Sequence, residues 1–316
     1  TIPMDFNGDG YNDLIIPQTN IINNAIRKIN FVTVSGYEVN RGNMEGAAFN
    51  ISLQTNSNDV PCFISADIDA NGRDDIVMIE TGDKDRRYPL SIISCQSQII
   101  NSNLQAQLST SWVTLPNKPT HLFVADYNND ALPDIFVCYD NGYKIFFNNG
   151  EPGQHRYDEA HSLTATDITK TLILEQGDFD GDGLIDFIYN KGGEKYYFAI
   201  NQGNGTFVHN VACELDLYDQ STHNDDHRYT CIAADLDHDG LTDAIIAKAM
   251  YHKDNFSETG ISWLHNTGSC LEEIRRAITP RPEDANPESL TIGNFSGIGD
   301  VEVLGYGNYD HSAMLH

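Results

Sequence analysis

An all-β fold, a β-propeller of about six four-stranded antiparallel blades, is what three features of this chain predict. The first is an acidic nonapeptide, DFNGDGYND from Asp5. It returns as DIDANGRDD from Asp67, DYNNDALPD from Asp126, DFDGDGLID from Asp178, DLDHDGLTD from Asp235 and a decayed NFSGIGDVE from Asn294. Successive copies start 62, 59, 52, 57 and 59 residues apart, and self-similarity at such a period marks a modular array of one supersecondary unit per repeat. The second feature is a short run of strand formers after every acidic loop. The third is the absence of any amphipathic helical pattern. Four antiparallel strands fit into about sixty residues, which is the arithmetic of a propeller blade.

The elements follow in order within each unit. A leading strand enters the loop, as at 63–66 and 122–125. The second strand leaves it as Leu14-Ile15-Ile16, Ile76-Val77-Met78, Ile135-Phe136-Val137, Phe187-Ile188-Tyr189 and Ala244-Ile245-Ile246, runs rich in β-branched and aromatic residues. The second residue of each loop is apolar: Phe6, Ile68, Tyr127, Phe179, Leu236 and Phe295. A loop that is acidic at odd positions and apolar at position 2 rests on a core, so each loop joins two buried strands. Third strands are expected at 29–34, 90–95, 143–147, 196–200 and 261–265. Turn signals follow three of them: Asn148-Asn149-Gly150, Asn201-Gln202-Gly203-Asn204-Gly205 and Asn266-Thr267-Gly268. Fourth strands fit at 49–53, 112–115, 207–212 and 273–277. The leading strand of the first unit is confined to 1–4, and the last unit offers strands at 290–293, 301–306 and 313–316 without a fourth. One propeller domain is expected across 1–316, as a six-bladed ring or as a piece of a longer chain with seven blades.

The loop spacing predicts calcium. Calcium is a hard cation that takes six to eight oxygens at about 2.3–2.6 Å, and oxygen side chains at positions 1, 3 and 5 of a tight loop converge on one point. In the first loop these are Asp5, Asn7 and Asp9; Gly10 at position 6 turns the chain, Tyr11 at position 7 offers its carbonyl, and Asp13 at position 9 closes the shell. The corresponding sets are Asp67, Asp69, Asn71, Arg73 and Asp75; Asp126, Asn128, Asp130, Leu132 and Asp134; Asp178, Asp180, Asp182, Leu184 and Asp186; and Asp235, Asp237, Asp239, Leu241 and Asp243. About five calcium ions are expected, held tightest at Asp178 and Asp235, where all four side-chain ligands are carboxylates. The third loop carries Ala131 where the others have glycine, a source of strain. The sixth has Ile298 at a ligand position and is expected to keep its shape without an ion. An EF-hand is excluded, because it needs a bidentate acid at position 12, and here that position holds Ile16, Met78, Val137, Tyr189 and Ile246.

These residues resemble the FG-GAP/VCBS repeat family of calcium-binding propellers, whose members include the integrin α-subunit head, secreted bacterial proteins, some lectins and the propeller of Tc-type toxin B components. The resemblance rests on the DxDGDGxxD loops with their following apolar strand, and on NQGNGTF at 201–207 as the turn between third and fourth strands. The FG before the loop and the GAP after it are absent; Pro17 is the nearest trace. That favours a VCBS-like relative over an integrin. The resemblance implies an extracellular, secreted or cell-surface setting.

Composition narrows the partners. The chain has 46 Asp and Glu against 19 Lys and Arg, a formal net charge of −27. Five divalent ions would offset about ten of these charges. The remainder argues against nucleic acid and anionic membranes, which need basic surfaces, and no run is long enough to span a bilayer. The six cysteines ignore the repeat period and read as buried thiols behaving as small hydrophobes. Sequons at Asn50, Asn204, Asn255 and Asn294 are no more than chance supplies in such a composition. There is no phosphate loop, CxxC pair, HExxH or nucleophile elbow, and His223 and His227 fall in an acidic stretch that reads as solvated. The chain is therefore expected not to be an enzyme.

The expected function is a calcium-stabilised binding or scaffolding module that recognises protein or glycan. In an up-and-down blade the acidic loops occupy one end. Long connections at 18–28, 82–89, 214–228, 251–260 and 279–289 occupy the other. Arg86, Arg87, Tyr88, Tyr218, His223, His227, Arg228, Tyr229, Tyr251, His252 and Phe256 fall there, and Tyr and Arg are frequent anchors of recognition surfaces. Two other readings are a gate or docking platform in a large secreted Tc/Rhs-like toxin and a polysaccharide-acting enzyme on a propeller scaffold.

Overall fold

The computed structural model describes strands β1 to β23 and, among the described residues, no helix. Side chains are placed in most of 63–79, 88–94, 117–139, 142–150, 175–189, 196–209, 231–246 and 262–268. The loops at 5–12 and 294–301 and the connections at 80–87, 215–227, 252–256 and 282–286 lie outside the described residues. No helix among the described residues is long and apolar enough to cross a membrane.

The chain divides into two compact units, Thr1–Thr169 and Lys170–His316. The first holds three four-stranded sheets. These are β1 (Ile2–Met4), β2 (Asp13–Asn23), β3 (Ile26–Val34) and β4 (Ala47–Thr55); β5 (Cys62–Ala66), β6 (Asp75–Ile79), β7 (Tyr88–Ile100) and β8 (Asn103–Leu115); and β9 (His121–Ala125), β10 (Asp134–Tyr139), β11 (Gly142–Phe146) and β12 (Ser162–Ala165). The second holds β13 (Leu172–Gly177), β14 (Asp186–Asn190), β15 (Lys195–Asn201) and β16 (Phe207–Glu214); β17 (Arg228–Ala234), β18 (Asp243–Tyr251), β19 (Ser257–Asn266) and β20 (Leu271–Arg281); and a three-stranded sheet of β21 (Pro287–Gly293), β22 (Glu302–Gly307) and β23 (Ala313–Leu315). Every sheet is an antiparallel meander in chain order, as expected of propeller blades.

The apolar runs are explained by where the second strands lie. Ile76, Val77 and Met78 of β6 and Ile135 and Val137 of β10 are fully buried, with consecutive residues enclosed rather than alternate ones. A strand covered on both faces needs no polar alternation. Within the first unit β1 neighbours β5 and β5 neighbours β9; within the second β13 neighbours β17 and β17 neighbours β21. The core of the first unit gathers Ile68, Val77, Ile92, Leu115, Ile135, Val137, Phe146 and Tyr157. That of the second gathers Phe179, Ile188, Tyr196, Phe198, Cys231, Ile246, Leu264 and Leu271. Cys138 and Cys231 are buried thiols outside any disulfide.

One of the long connections expected from the sequence is mostly strand: residues 18–28 form the far ends of β2 and β3, where Asn23 pairs Ile26. Of 251–260, Tyr251 and 257–260 are strand, where Tyr251 pairs Ser257, and 252–256 lie outside the described residues. The physical reason is that cross-strand pairing satisfies the backbone of polar residues such as Gln18, Asn20, Lys28 and Glu258. Tyr88, Arg228, Tyr229 and Tyr251 are accordingly strand residues, each at the end of its sheet away from the acidic loop. Arg86, Arg87, Tyr218, His223, His227, His252 and Phe256 lie outside the described residues.

Neighbouring sheets meet closely at Gly177, the last residue of β13. A Cβ there would lie 2.5 Å from Thr242 Cγ2. Gly177→Ala should destabilise the protein by about 1–3 kcal/mol through overpacking, measured by urea unfolding. Thr242→Ser in the same chain should recover part of the loss.

Candidate metal centres

The four described loops, at 67–75, 126–134, 178–186 and 235–243, fold alike. The position 1 carboxylate organises each turn. Its Oδ1 accepts the N–H of position 5: Asn71 to Asp67 at 3.0 Å, and Asp130 to Asp126, Asp182 to Asp178 and Asp239 to Asp235 at 3.1 Å. Its Oδ2 accepts the N–H of position 6, from Gly72, Ala131, Gly183 and Gly240 at 2.8, 2.7, 2.9 and 3.0 Å. In the last three loops position 3 accepts from position 5. In the same loops position 5 accepts from the N–H of Leu132, Leu184 or Leu241 at position 7. These bonds turn the acids toward one another against their mutual repulsion.

Position 6 has the positive φ expected of it: Gly72 82°, Gly183 86°, Gly240 92°, and Ala131 66°. A non-glycine residue there carries a strain of roughly 1–2 kcal/mol. Position 4 is also left-handed, at Ala70, Asn129, Gly181 and His238, which the sequence reading missed. Asn129 and Gly181 carried the signal, since both tolerate positive φ.

Position 9 is the deepest part of the site. Asp75, Asp134, Asp186 and Asp243 are 0 % exposed. Asp134 Oδ2 accepts Tyr127 N and Asp186 Oδ2 accepts Phe179 N, both at 2.9 Å, and Asp243 Oδ2 accepts Leu236 N at 3.3 Å. Their Oδ1 atoms accept the N–H of Asn148, Asn201 and Asn266 at 2.9, 2.8 and 2.8 Å. Burial pushes Asp134 and Asp186 up to about 7, against the pull of those N–H groups and with help from neighbouring carboxylates. Burial raises Asp243 as well. Asp180 at position 3 is raised first by desolvation and then by Asp182.

Three asparagines bind these acids, and the sequence reading took them only for turns. Asn148, Asn201 and Asn266 are 2 %, 1 % and 0 % exposed. Their Oδ1 atoms accept from Gly150, Gly203 and Gly268 two residues on, so the turn signal was real. Their amides do more. Asn148 Nδ2 donates to Ile68 O at 3.2 Å, and Asn266 Nδ2 to Phe179 O at 2.8 Å and Thr242 O at 3.0 Å. Asn148 and Asn266 thereby reach position 2 of the loop belonging to the preceding sheet, whereas Asn201 Nδ2 donates to Ile185 O of its own loop at 3.2 Å. The separation from position 9 varies with hairpin length, so no fixed spacing could have exposed this role.

Carboxylate oxygens of Asp67, Asp69 and Asp75, of Asp178, Asp180 and Asp186, and of Asp235, Asp237 and Asp239 lie within 4.8 Å of one another. Such oxygen clusters suit a hard divalent cation. A further group joins Asp237 and Asp243 to His265, a residue the sequence reading did not single out. Asp5, Asn7, Asp9 and Tyr11 lie outside the described residues, as does the side chain of Asp13. The sixth loop and the pair His223 and His227 lie outside them too.

Fold and loops together define an all-β repeat protein with an acidic, cation-competent hairpin in each described unit. A model of the FG-GAP-like repeat matches residues 126–189 and 178–246, so this part of the chain is similar to FG-GAP-like repeats. Each match begins on a position 1 aspartate and runs into the strand after the next loop. No curated protein matches the chain.

Two outcomes follow from this geometry. Asn266→Ala removes a buried amide from two carbonyls and should cost on the order of 2–3 kcal/mol, whereas Asn204→Ala in the exposed turn should change stability by less than about 0.5 kcal/mol; urea titrations compare them. In chelator, raised folded-state values at Asp134 and Asp186 mean that the folded protein holds those protons more tightly than the unfolded chain. Their contribution is present at low pH and lost as pH rises through about 7. The melting temperature of the chelated protein should therefore fall from about pH 5 to about pH 8, and a divalent cation should flatten that slope.

Proposed function

We propose that this chain is a calcium-stabilised extracellular binding or scaffolding module whose sheets close as blades of one propeller. The observation that carries the reading is the shared loop geometry: backbone N–H groups hold acids from positions 1, 3 and 9 together over a buried core. Carbonyls of Tyr11, Arg73, Leu132, Leu184 and Leu241 would complete the shells with the side chains at positions 1, 3, 5 and 9. FG-GAP repeats are typical of extracellular and surface proteins, which supports the setting. In this reading the acids serve the fold and not a reaction, because a bound cation keeps them ionised and unavailable as general acids.

Recognition of protein or glycan is assigned to the sheet ends away from the loops, where Tyr88, Arg228 and Tyr251 lie. The loops at the other end are tied down by their own hydrogen bonds. Aromatic and Arg side chains supply large contact area at small entropic cost.

The test of the metal reading is a thermal melt in chelator and in calcium. Each occupied site should add about 1.4–2.7 kcal/mol at 10–100 times its Kd, by mass action. Asp182→Ala should lose one site's share. Identical melts with and without calcium would sink the proposal.

A further inference from the structure

The loop at Asp235 differs from those at Asp126 and Asp178 in one donor. His265 of β19 directs Nδ1 into it, 3.2 Å from Asp237 Oδ2 and 3.4 Å from Asp243 Oδ1. That nitrogen is sealed from solvent and makes no hydrogen bond among the described residues. The residue preceding the buried asparagine is Phe147 before Asn148 and Ile200 before Asn201. Histidine therefore stands where these two sheets place a residue that cannot ligate.

The surroundings orient the group. Asp243 is fully buried; its Oδ1 accepts Asn266 N and its Oδ2 accepts both Leu236 N and the Trp263 indole N–H, the latter at 3.3 Å. Asp237 Oδ1 accepts Asp239 N at 3.3 Å, which leaves Oδ2 facing His265. Hydrogen bonds of this kind fix the direction of ligating groups. An ion bound about 2.0–2.2 Å from each donor in tetrahedral geometry sets those donors about 3.3–3.6 Å apart, close to the 3.2 and 3.4 Å between His265 and the two carboxylates. Calcium selects oxygen, whereas imidazole suits zinc and its neighbours. The Asp178 loop, built from Asp178, Asp180 and Asp186, is the oxygen-only contrast within the same unit.

We infer that Asp237, Asp243 and His265 form a site for a divalent transition metal of the zinc or cobalt class, in preference to calcium. This goes beyond the calcium reading: it takes Asp237 and Asp243 from the acids of the Asp235 loop, adds the nitrogen of His265, and assigns that one loop a different ion.

The probe is Co²⁺, titrated into the whole chain in millimolar calcium, which occupies the oxygen-only loops. Visible d–d absorption and the quenching of Trp263 fluorescence report binding. One saturable equivalent is expected. His265→Ile, which installs the Ile200 side chain, should weaken it at least about tenfold while keeping the calcium-dependent melt; Asp182→Ala should leave the cobalt band intact. If His265→Ile does not fold, His265→Gln serves the same comparison. No saturable band, or a band that survives loss of the histidine, overturns the inference and leaves His265 as a packing neighbour of its two carboxylates. A cobalt site that depends on His265 in a protein whose melt ignores calcium would uphold this inference and defeat the calcium reading instead.

Discussion

A carboxylate buried at the root of each described loop is the constraint on which the rest depends. Asp134, Asp186 and Asp243 have no solvent contact, and an ionised acid in that setting must be compensated. The compensation comes from backbone N–H groups on two separate segments, one in the loop and one at the end of the third strand. The acid thereby joins strands one, two and three of its sheet at a single point. It also fixes the height of position 2, which drops Tyr127 and Phe179 into the core. Two N–H groups do not fully replace water, which is why the proton is held so tightly at Asp134 and Asp186.

The same point couples neighbouring sheets. Asn148 and Asn266 accept nothing from the preceding loop but donate to its position 2 carbonyl, and Thr242 N donates to Asp178 O at 2.9 Å. One sheet thus satisfies backbone groups that the loop before it cannot satisfy alone. Within each unit, order at one loop supports order at the next.

Repetition does not make the loops chemically equivalent. The Asp178 loop is all oxygen, the Asp126 loop trades one carboxylate for Asn128 and carries strain at Ala131, and the Asp235 loop meets an imidazole. A shared backbone scaffold fixes where donors point, while single substitutions change which donors each loop offers. The likeness to FG-GAP-like repeats at 126–246 goes with this scaffold. It does not specify a partner, because one fold hosts many functions.

The sequence by itself determined the local architecture. Aspartates at 1, 3, 5 and 9 with a turn residue at 6 announce the loop, because those groups interact within a few residues of chain. Apolar runs after each loop announce the buried second strand for the same reason. Hairpin length was not legible: residues 18–23, 26–28 and 257–260 are polar enough to read as connections, yet strand pairing holds them. Only the tertiary structure turned Asn148 and Asn266 from turn residues into buried bridges between sheets, and only it brought His265 to Asp237. Those partners lie far along the chain at separations set by hairpin length, and such distances close only when whole sheets pack.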